Sequence, residues 1–347
     1  MTGIRVHTTL PVRVLIGPGA RHEIPAEVRR LGARQVIVVA TPSAGPATDE
    51  LVSDLGPLFG ARFDRPVVHT PVAVTAEAMQ LVESTGADLV LAIGGGSAIG
   101  LGKAISSRTG MPQIAVPTTY AGSELTPTLG ETADGVKTTR RDPALAPGTV
   151  VYDPELTLSL PARLTLTSVM NALAHAVEAL WAPDASAVSD AVATGAAEMI
   201  LTDLPGSLAT LSDVSARARL QEASWLAGLA LAQTSMGLQH QLAHVLGAAY
   251  DLPHAELHTI LLPHVMAYNL PGAPRAAARL ARITGADPVS VVSQLTRTVD
   301  GPANLAELGV PRADLVDLAR RTVAAPYPNP RPVDLDAVTH ILTQAWQ

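Results

Sequence analysis

The chain has 347 residues, 47% of them hydrophobic and 16% charged, with a formal net charge of −7. It is long enough for two domains, since single hydrophobic cores stop growing near roughly 250–300 residues. The negative balance and the lack of a basic tract argue against a nucleic-acid surface, and no run approaches the roughly 18 apolar residues of a membrane span. There is no cysteine, which excludes disulfides, thiolate metal sites and thiol catalysis and fits a reducing cytoplasm. The first twenty residues lack a charged start followed by an apolar run, so no signal peptide is expected.

In chain order, Val12–Ile16 is a short β-rich run closed by Gly17-Pro18-Gly19-Ala20. Gln35–Ala40 is a continuous apolar run of the kind buried on both faces of a parallel sheet. Pro66–His69 is a weaker strand candidate, and Asp88–Ile93 and Gln113–Val116 are again short and apolar. Helical periodicity fills the gaps at Ala20–Leu31, Pro46–Leu58, Thr75–Thr85 and Ala98–Thr109. Strands and helices alternating at this pitch imply an open parallel sheet with right-handed crossovers. Thr118 to Val150, rich in Thr, Gly and Pro, reads as loops or a hairpin.

From Pro161 onward β-branched runs vanish and Ala/Leu helices follow one another to the C-terminus. Their expected extents are Ala162–Trp181, Ala187–Leu204, Val214–Gln233, Gln239–Tyr250, His254–Asn269, Pro274–Thr284, Pro288–Val299, Arg312–Ala324 and Leu335–Trp346. The expectation is an α/β domain with a parallel sheet over 1–157 and an all-helical domain over 158–347.

Two loops follow strands in the first half. Gly94-Gly95-Gly96-Ser97 succeeds Asp88–Ile93 and opens a helix, where side-chain-free backbone and the helix N-terminus suit a pyrophosphate. Ser97 is placed to cap that helix or to meet a phosphate oxygen. The second loop, Pro117 to Glu124, offers Thr118, Thr119 and Ser123 to a ribose, pyrophosphate or nicotinamide amide. Both sit at carboxyl ends of expected strands, where open α/β sheets bind ligands.

Six of the ten histidines fall between His175 and His264. Asn171/His175, His240/His244 and His254/His258 are i,i+4 pairs, which share one face of a helix. Three such pairs in a chain poor in polar side chains point to a converging imidazole pocket, although a single apolar-flanked His is usually a core residue.

Taken together, Gly17–Ala20, Gly94–Ser97, Thr118–Glu124, Tyr152–Leu156, Met170–Trp181 and Gly237–Asn269 resemble the iron-containing, or group III, alcohol dehydrogenase superfamily and, within it, the maleylacetate reductases. The resemblance covers almost the whole chain. It implies a dinucleotide-binding α/β domain, a helical catalytic domain (the dehydroquinate synthase-like fold) and a site between them. It also implies NADH- or NADPH-dependent reduction of the carbon–carbon double bond of maleylacetate to 3-oxoadipate in aromatic-compound catabolism. A soluble cytoplasmic homodimer acting on a small dicarboxylate, with neither nucleic acid nor membrane as partner, goes with that.

The positions matching the superfamily's metal ligands are Asn171, His175, His240 and His254. Asn171 supplies a neutral oxygen where an Asp would supply an anion, so the resemblance implies catalysis without a metal. Gly100 likewise stands where most relatives carry Asp, and Gln239 where the reductases tend to show His. His175, His240 and His254 are expected to form a polar cup with Asn171 as a neutral donor. His244 is expected to face the nicotinamide or relay the proton, and His258 to be a second acid; His264 reads as a helix-packing residue. The cofactor set is Thr41, Gly94, Gly95, Gly96, Ser97, Thr118, Thr119, Ser123 and Lys137. Thr41 lies in an Ala40–Ser43 edge with no acid to repel a 2′-phosphate. Lys103, Lys137, Arg140 and Arg141, with Tyr120 and Ser123, are the candidate partners of the substrate carboxylates. The alternatives are a metal-dependent dehydrogenase of a small alcohol, a polyol or glycerol-type dehydrogenase, and a non-catalytic protein that retains the fold.

Overall fold

The computed structural model describes residues 11–133 and 136–347, with the backbone alone for residues 136 and 137. The described residues divide into two compact units, one of residues 11–160 with 212–222, the other of residues 161–211 with 223–347.

In the first unit β1 (Arg13–Ile16), α1 (Ile24–Arg30), β2 (Val36–Ala40), α2 (Gly45–Leu55), β3 (Phe59–Phe63), α3 (Val72–Thr85), β4 (Leu89–Gly94), α4 (Gly96–Thr109) and β5 (Gln113–Pro117) alternate. A hairpin of β6 (Thr128–Ala133) and β7 (Val136–Arg141) follows, then β8 (Thr149–Tyr152). The strands other than the hairpin form one six-stranded parallel sheet in the order β1-β8-β5-β4-β2-β3. Val36, Val38 and Ala40 of β2 and Leu89, Leu91 and Ile93 of β4 pack on α1 and α2 through Ile24, Val28, Leu51 and Leu55. The alternate residues Ile37, Val39 and Val90 pack on α3 and α4 through Ala78, Val82, Ala98, Leu101 and Ile105. Burial on both faces is why β2, β4 and β5 are continuous apolar runs.

Two expectations are corrected here. The strand expected at Pro66–His69 lies earlier, at Phe59–Phe63, on the sheet edge. Edge exposure lets Gly60 and Arg62 interrupt its apolar pattern, and the left-handed residues His69 (φ +62°) and Thr70 (φ +46°) cannot belong to an extended strand. The stretch to Val150, read as loops or a hairpin, contains the hairpin but also opens β8, which is wholly buried between β1 and β5.

The winding fixes a ligand-binding edge. After β2 the chain steps outward to β3, then returns past β2 to β4, so α2 and α3 lie on opposite faces. The carboxyl ends of β2 and β4 therefore flank the topological switch point, where open α/β sheets leave a crevice for a ligand.

The second unit is built from α5 (Ala162–Trp181), α6 (Ala187–Ala209), the later turns of α7 (Val214–Gln233), α8 (Leu238–Tyr250), α9 (His254–Asn269), α10 (Pro274–Thr284), α11 (Pro288–Leu295), α12 (Leu315–Val323) and α13 (Leu335–Trp346). Ser186 and Ser189 close a capping box at the start of α6, and Asp287 and Asp334 cap α11 and α13. From Thr165 to Leu180 every residue of α5 but Asn171 is buried. A helix apolar on all sides lies within a core, so its polar residues must be satisfied by neighbouring elements. Among the described residues no helix is long and apolar enough to cross a membrane.

Candidate active site

At the switch point the glycine loop meets both neighbouring loops. Gly94 ends β4 at φ +142°, and a Cβ there would stand 2.6 Å from Thr41 Oγ1. Only glycine fits, on conformational and steric grounds alike. Thr41 N donates to Ile93 O at 3.2 Å and Thr118 N to Gly94 O at 3.0 Å. A Cβ on Gly95 would touch Thr119 Cγ2 at 3.4 Å. Thr41, Gly94, Gly95, Gly96, Ser97, Thr118 and Thr119 thus share one edge, around the first turn of the fourteen-residue α4. The bare backbone and the positive helix end fit a dinucleotide pyrophosphate.

Ser123 sits on a short 3-10 turn, and its carbonyl receives the Lys103 ammonium at 3.1 Å. Lys137 stands on β7 opposite Thr132, and its side chain lies outside the described residues. Gly100 is glycine for a steric reason, since a Cβ there would meet Thr70 Oγ1 at 2.7 Å.

Lys103 and Tyr120 are withdrawn from the substrate-binding set. Lys103 is buried and donates to Thr126 O at 2.6 Å and Thr126 Oγ1 at 3.2 Å as well as to Ser123 O. Burial brings its proton affinity down to about 7, against the opposing pull of Glu124. Glu124 is itself pushed up by burial and accepts from Tyr152 Oη at 2.5 Å. Tyr120 is wholly buried; its hydroxyl donates to Thr157 Oγ1 at 2.8 Å and accepts from Arg217 Nη1 at 3.3 Å. These groups hold the core of the α/β unit. Arg140 and Arg141 are exposed on β7.

In the helical unit the imidazoles do converge. His175 of α5, His240 of α8 and His258 of α9 are 4%, 8% and 3% exposed, and one nitrogen from each lies within 4.8 Å of the others. The His175 and His240 rings stack at 4.9 Å between centroids, and His258 is 4.6 Å from His240 and 6.0 Å from His175. His258 thus joins His175 and His240 in the buried group. His254 packs edge-on against the exposed His244 at 5.6 Å, and His244 lies 6.5 Å from His240. His258 takes the inner place because it follows His254 by one turn, on the side of α9 that faces α8. His264 is set apart, its proton affinity lowered by burial and by Arg297.

Glu178 organises this group, and the reading of the sequence passed over it. It lies on the same face of α5 as His175 and Asn171, at spacings of three and seven residues. Its carboxylate is fully buried and accepts from Gly237 N at 3.0 Å, Gln239 N at 2.9 Å and His240 Nδ1 at 2.6 Å. The close approach requires Gly237, whose added Cβ would stand 2.5 Å from Pro328 O and 3.1 Å from Glu178 Oε1. Because Glu178 binds Nδ1, the Nε2 of His240 is left for other partners, and among the described residues it has none. Asn171 Oδ1 is likewise buried without a partner. Tyr327 is a second residue missed by sequence reading; burial and the nearby Glu178 charge push its hydroxyl up to about 12. Burial and the surrounding imidazoles hold His258 far below the usual histidine range, so it stays neutral at working pH.

The nitrogens of the imidazole group are close enough to share an ion, but the set contains no anionic donor, because Glu178 is committed to His240 and position 171 is Asn. His258 Nδ1 is already paired with the side-chain amide of Gln239 at 3.1 Å. A neutral donor set of this kind does not fit Fe²⁺ as carboxylate-bearing sets do.

Residues 11–154 match the family model for iron-containing alcohol dehydrogenase, and residues 165–346 match the C-terminal model of the same family. Maleylacetate reductase of Rhizobium sp. (strain MTP-10005) is 42% identical over 342 residues, covering 99% of this chain and 97% of that protein. Maleylacetate reductase of Sphingobium indicum is 41% identical, over 98% and 97%. The crystal structure of maleylacetate reductase from Agrobacterium tumefaciens superposes with a TM-score of 0.95 at 40% identity, covering 99% of each chain. The chain belongs to the iron-containing alcohol dehydrogenase family and is an oxidoreductase.

Proposed function

We propose that the protein reduces the conjugated double bond of maleylacetate to give 3-oxoadipate, using either NADH or NADPH and no metal. The observation that carries this reading is the buried group of His175, His240 and His258 beside Asn171, with Glu178 behind His240. The similarity to maleylacetate reductases over nearly the full chain supports the substrate.

A reduced nicotinamide, when bound, supplies the hydride. The glycine loop and the N-terminus of α4 hold its pyrophosphate, and Thr41, Thr118 and Thr119 line the same edge. The neutral edge at Thr41 accepts a 2′-phosphate as readily as a hydroxyl, since no carboxylate opposes it. When one alkene carbon gains a hydride, the electron pair moves through the conjugated system onto the ketone oxygen. That oxygen becomes enolate-like and needs hydrogen-bond donors aimed at it. The Asn171 amide and the neutral His258 imidazole fill that role. His240, oriented by Glu178 at Nδ1, delivers the proton to the neighbouring carbon from Nε2. His244 and His254, at the exposed side of the group, relay protons from water. The enzyme acts as a cytoplasmic homodimer.

The test is product identification and steady-state rate with maleylacetate and each reduced nicotinamide. His240→Ala and His258→Ala should each lower kcat by about 10²-fold or more. Near-normal turnover in both variants, or activity confined to small alcohols with added Fe²⁺, would overturn the proposal.

A further inference from the structure

His240 and His258 sit side by side, yet their neighbours impose opposite proton arrangements. Glu178 can only accept, so His240 carries its hydrogen on Nδ1 and presents Nε2 as an acceptor that is charged only when protonated. His258 is governed by Gln239. The Gln239 side-chain nitrogen lies 3.1 Å from His258 Nδ1 and 3.3 Å from the His258 carbonyl oxygen. A carbonyl oxygen only accepts, so the atom facing both must be the NH₂ group and not the amide oxygen. The same NH₂ therefore donates to Nδ1, and His258 keeps its hydrogen on Nε2. Gln239 is fully buried, its own backbone N–H is fixed by Glu178 at 2.9 Å, and its amide oxygen has no partner among the described residues. Nothing on the oxygen side competes to turn the amide over.

We propose that Gln239 is a positioning residue: it locks His258 as a neutral Nε2–H donor, complementary to the Glu178–His240 pair, and in doing so denies the imidazole group a third metal ligand. A ring whose Nε2 bears hydrogen cannot offer that nitrogen's lone pair to a cation. Moving the hydrogen to Nδ1 would set it against the Gln239 N–H. One side chain thus keeps a donor for the enolate oxygen and blocks metallation of the group. The part concerning the enolate rests on the proposed reductase reaction; the tautomer and the metal block do not.

Glu at 239 can only accept, so Gln239→Glu should move the His258 hydrogen to Nδ1 and release Nε2. Long-range ¹H–¹⁵N correlation spectra of histidine-labelled protein, with His258 assigned by its loss in His258→Gln, should show Nε2–H in the unaltered enzyme and Nδ1–H in Gln239→Glu. Co²⁺ binding, followed by calorimetry and visible absorption, should tighten at least tenfold in Gln239→Glu and weaken again in Gln239→Glu/His258→Gln. With maleylacetate, kcat should fall about 10–100-fold while KM stays within about threefold, the scale on which outer hydrogen-bond partners act. Gln239→Met, which removes the donor without adding charge, serves if the glutamate variant does not fold; it should lose the single Nε2–H signature and the same share of kcat. An Nδ1–H ring in the unaltered enzyme, or a His258 tautomer indifferent to both substitutions, overturns the proposal. Absence of maleylacetate turnover in the unaltered enzyme would instead overturn the functional reading, and the spectra and Co²⁺ titrations would still decide the tautomer.

Discussion

Replacing Glu178 by Gln removes one buried negative charge at almost constant volume. The carboxylate serves three donors, Gln239 N on Oε1 and both Gly237 N and His240 Nδ1 on Oε2. An amide has one oxygen and one NH₂, so it cannot serve both ends. With its oxygen toward Gln239, the Gly237 N–H faces another donor and His240 must shift its hydrogen to Nε2 to accept from the amide. With the groups exchanged, the Gln239 N–H is orphaned instead. Either orientation leaves one buried backbone donor unpaired, at about 1–3 kcal/mol of stability. Either also removes the carboxylate that orients His240, which puts general-acid catalysis worth about 10²–10⁴-fold at stake. In stopped-flow measurement of reduced-nicotinamide consumption, Glu178→Gln should lose that factor in kcat with KM nearly unchanged. The double variant with His240→Ala should be no slower than His240→Ala alone, because the two residues act as a unit. A kcat within threefold of the unaltered enzyme would refute the assignment of Glu178 and His240 as an acid pair.

Gly94→Ala should weaken dinucleotide binding at least tenfold, measured by fluorescence titration, because the new methyl would stand against Thr41 in a backbone conformation that Ala avoids. Lys103→Met should destabilise the fold by about 1–3 kcal/mol in urea denaturation by leaving the buried carbonyls of Ser123 and Thr126 without their donor, with little change in substrate KM. Folded Lys103 releases its proton near pH 7 and an unfolded lysine near 10.5, so the unfolded chain holds more protons in between. Its contribution to stability should therefore improve with rising pH across that window, by at most about 1.4 kcal/mol per pH unit, and Lys103→Met should remove that slope.

The helical half was legible because Pro and Gly punctuate it and its apolar period is regular; the bounds expected for α5, α9, α10 and α13 coincide with those observed. The central strands were legible for the opposite reason, as burial on both faces leaves no polar interruption. The strands that escaped were β3, whose edge position admits Gly60 and Arg62, and β8, whose four residues lie beside the Thr-, Gly- and Pro-rich connector. Helical spacing brought out the histidines but could not rank them, because His254 and His258 share one face of α9 and differ only in depth, His254 opening the helix and His258 lying one turn further in. Glu178 was hidden by its ordinariness, since a lone acid in a helix usually faces solvent and only the burial of α5 on all sides makes it exceptional. Tyr327 comes from a distant loop that no local period connects to α5. Lys103 and Tyr120 offered a cation and a hydroxyl for the substrate carboxylates, and their roles emerged only with the carbonyls and hydroxyls around them.

In the proposed reaction, imidazoles and an amide do the work that a metal ion does in metal-dependent enzymes. This is tested most directly by the initial rate of maleylacetate reduction before and after exhaustive chelation, with metal content measured on the same samples. A metal-free reaction gives an unchanged rate at a metal content well below one ion per chain, and no gain on adding Fe²⁺ or Zn²⁺. A rate that collapses on chelation and returns with one equivalent of either ion would contradict it.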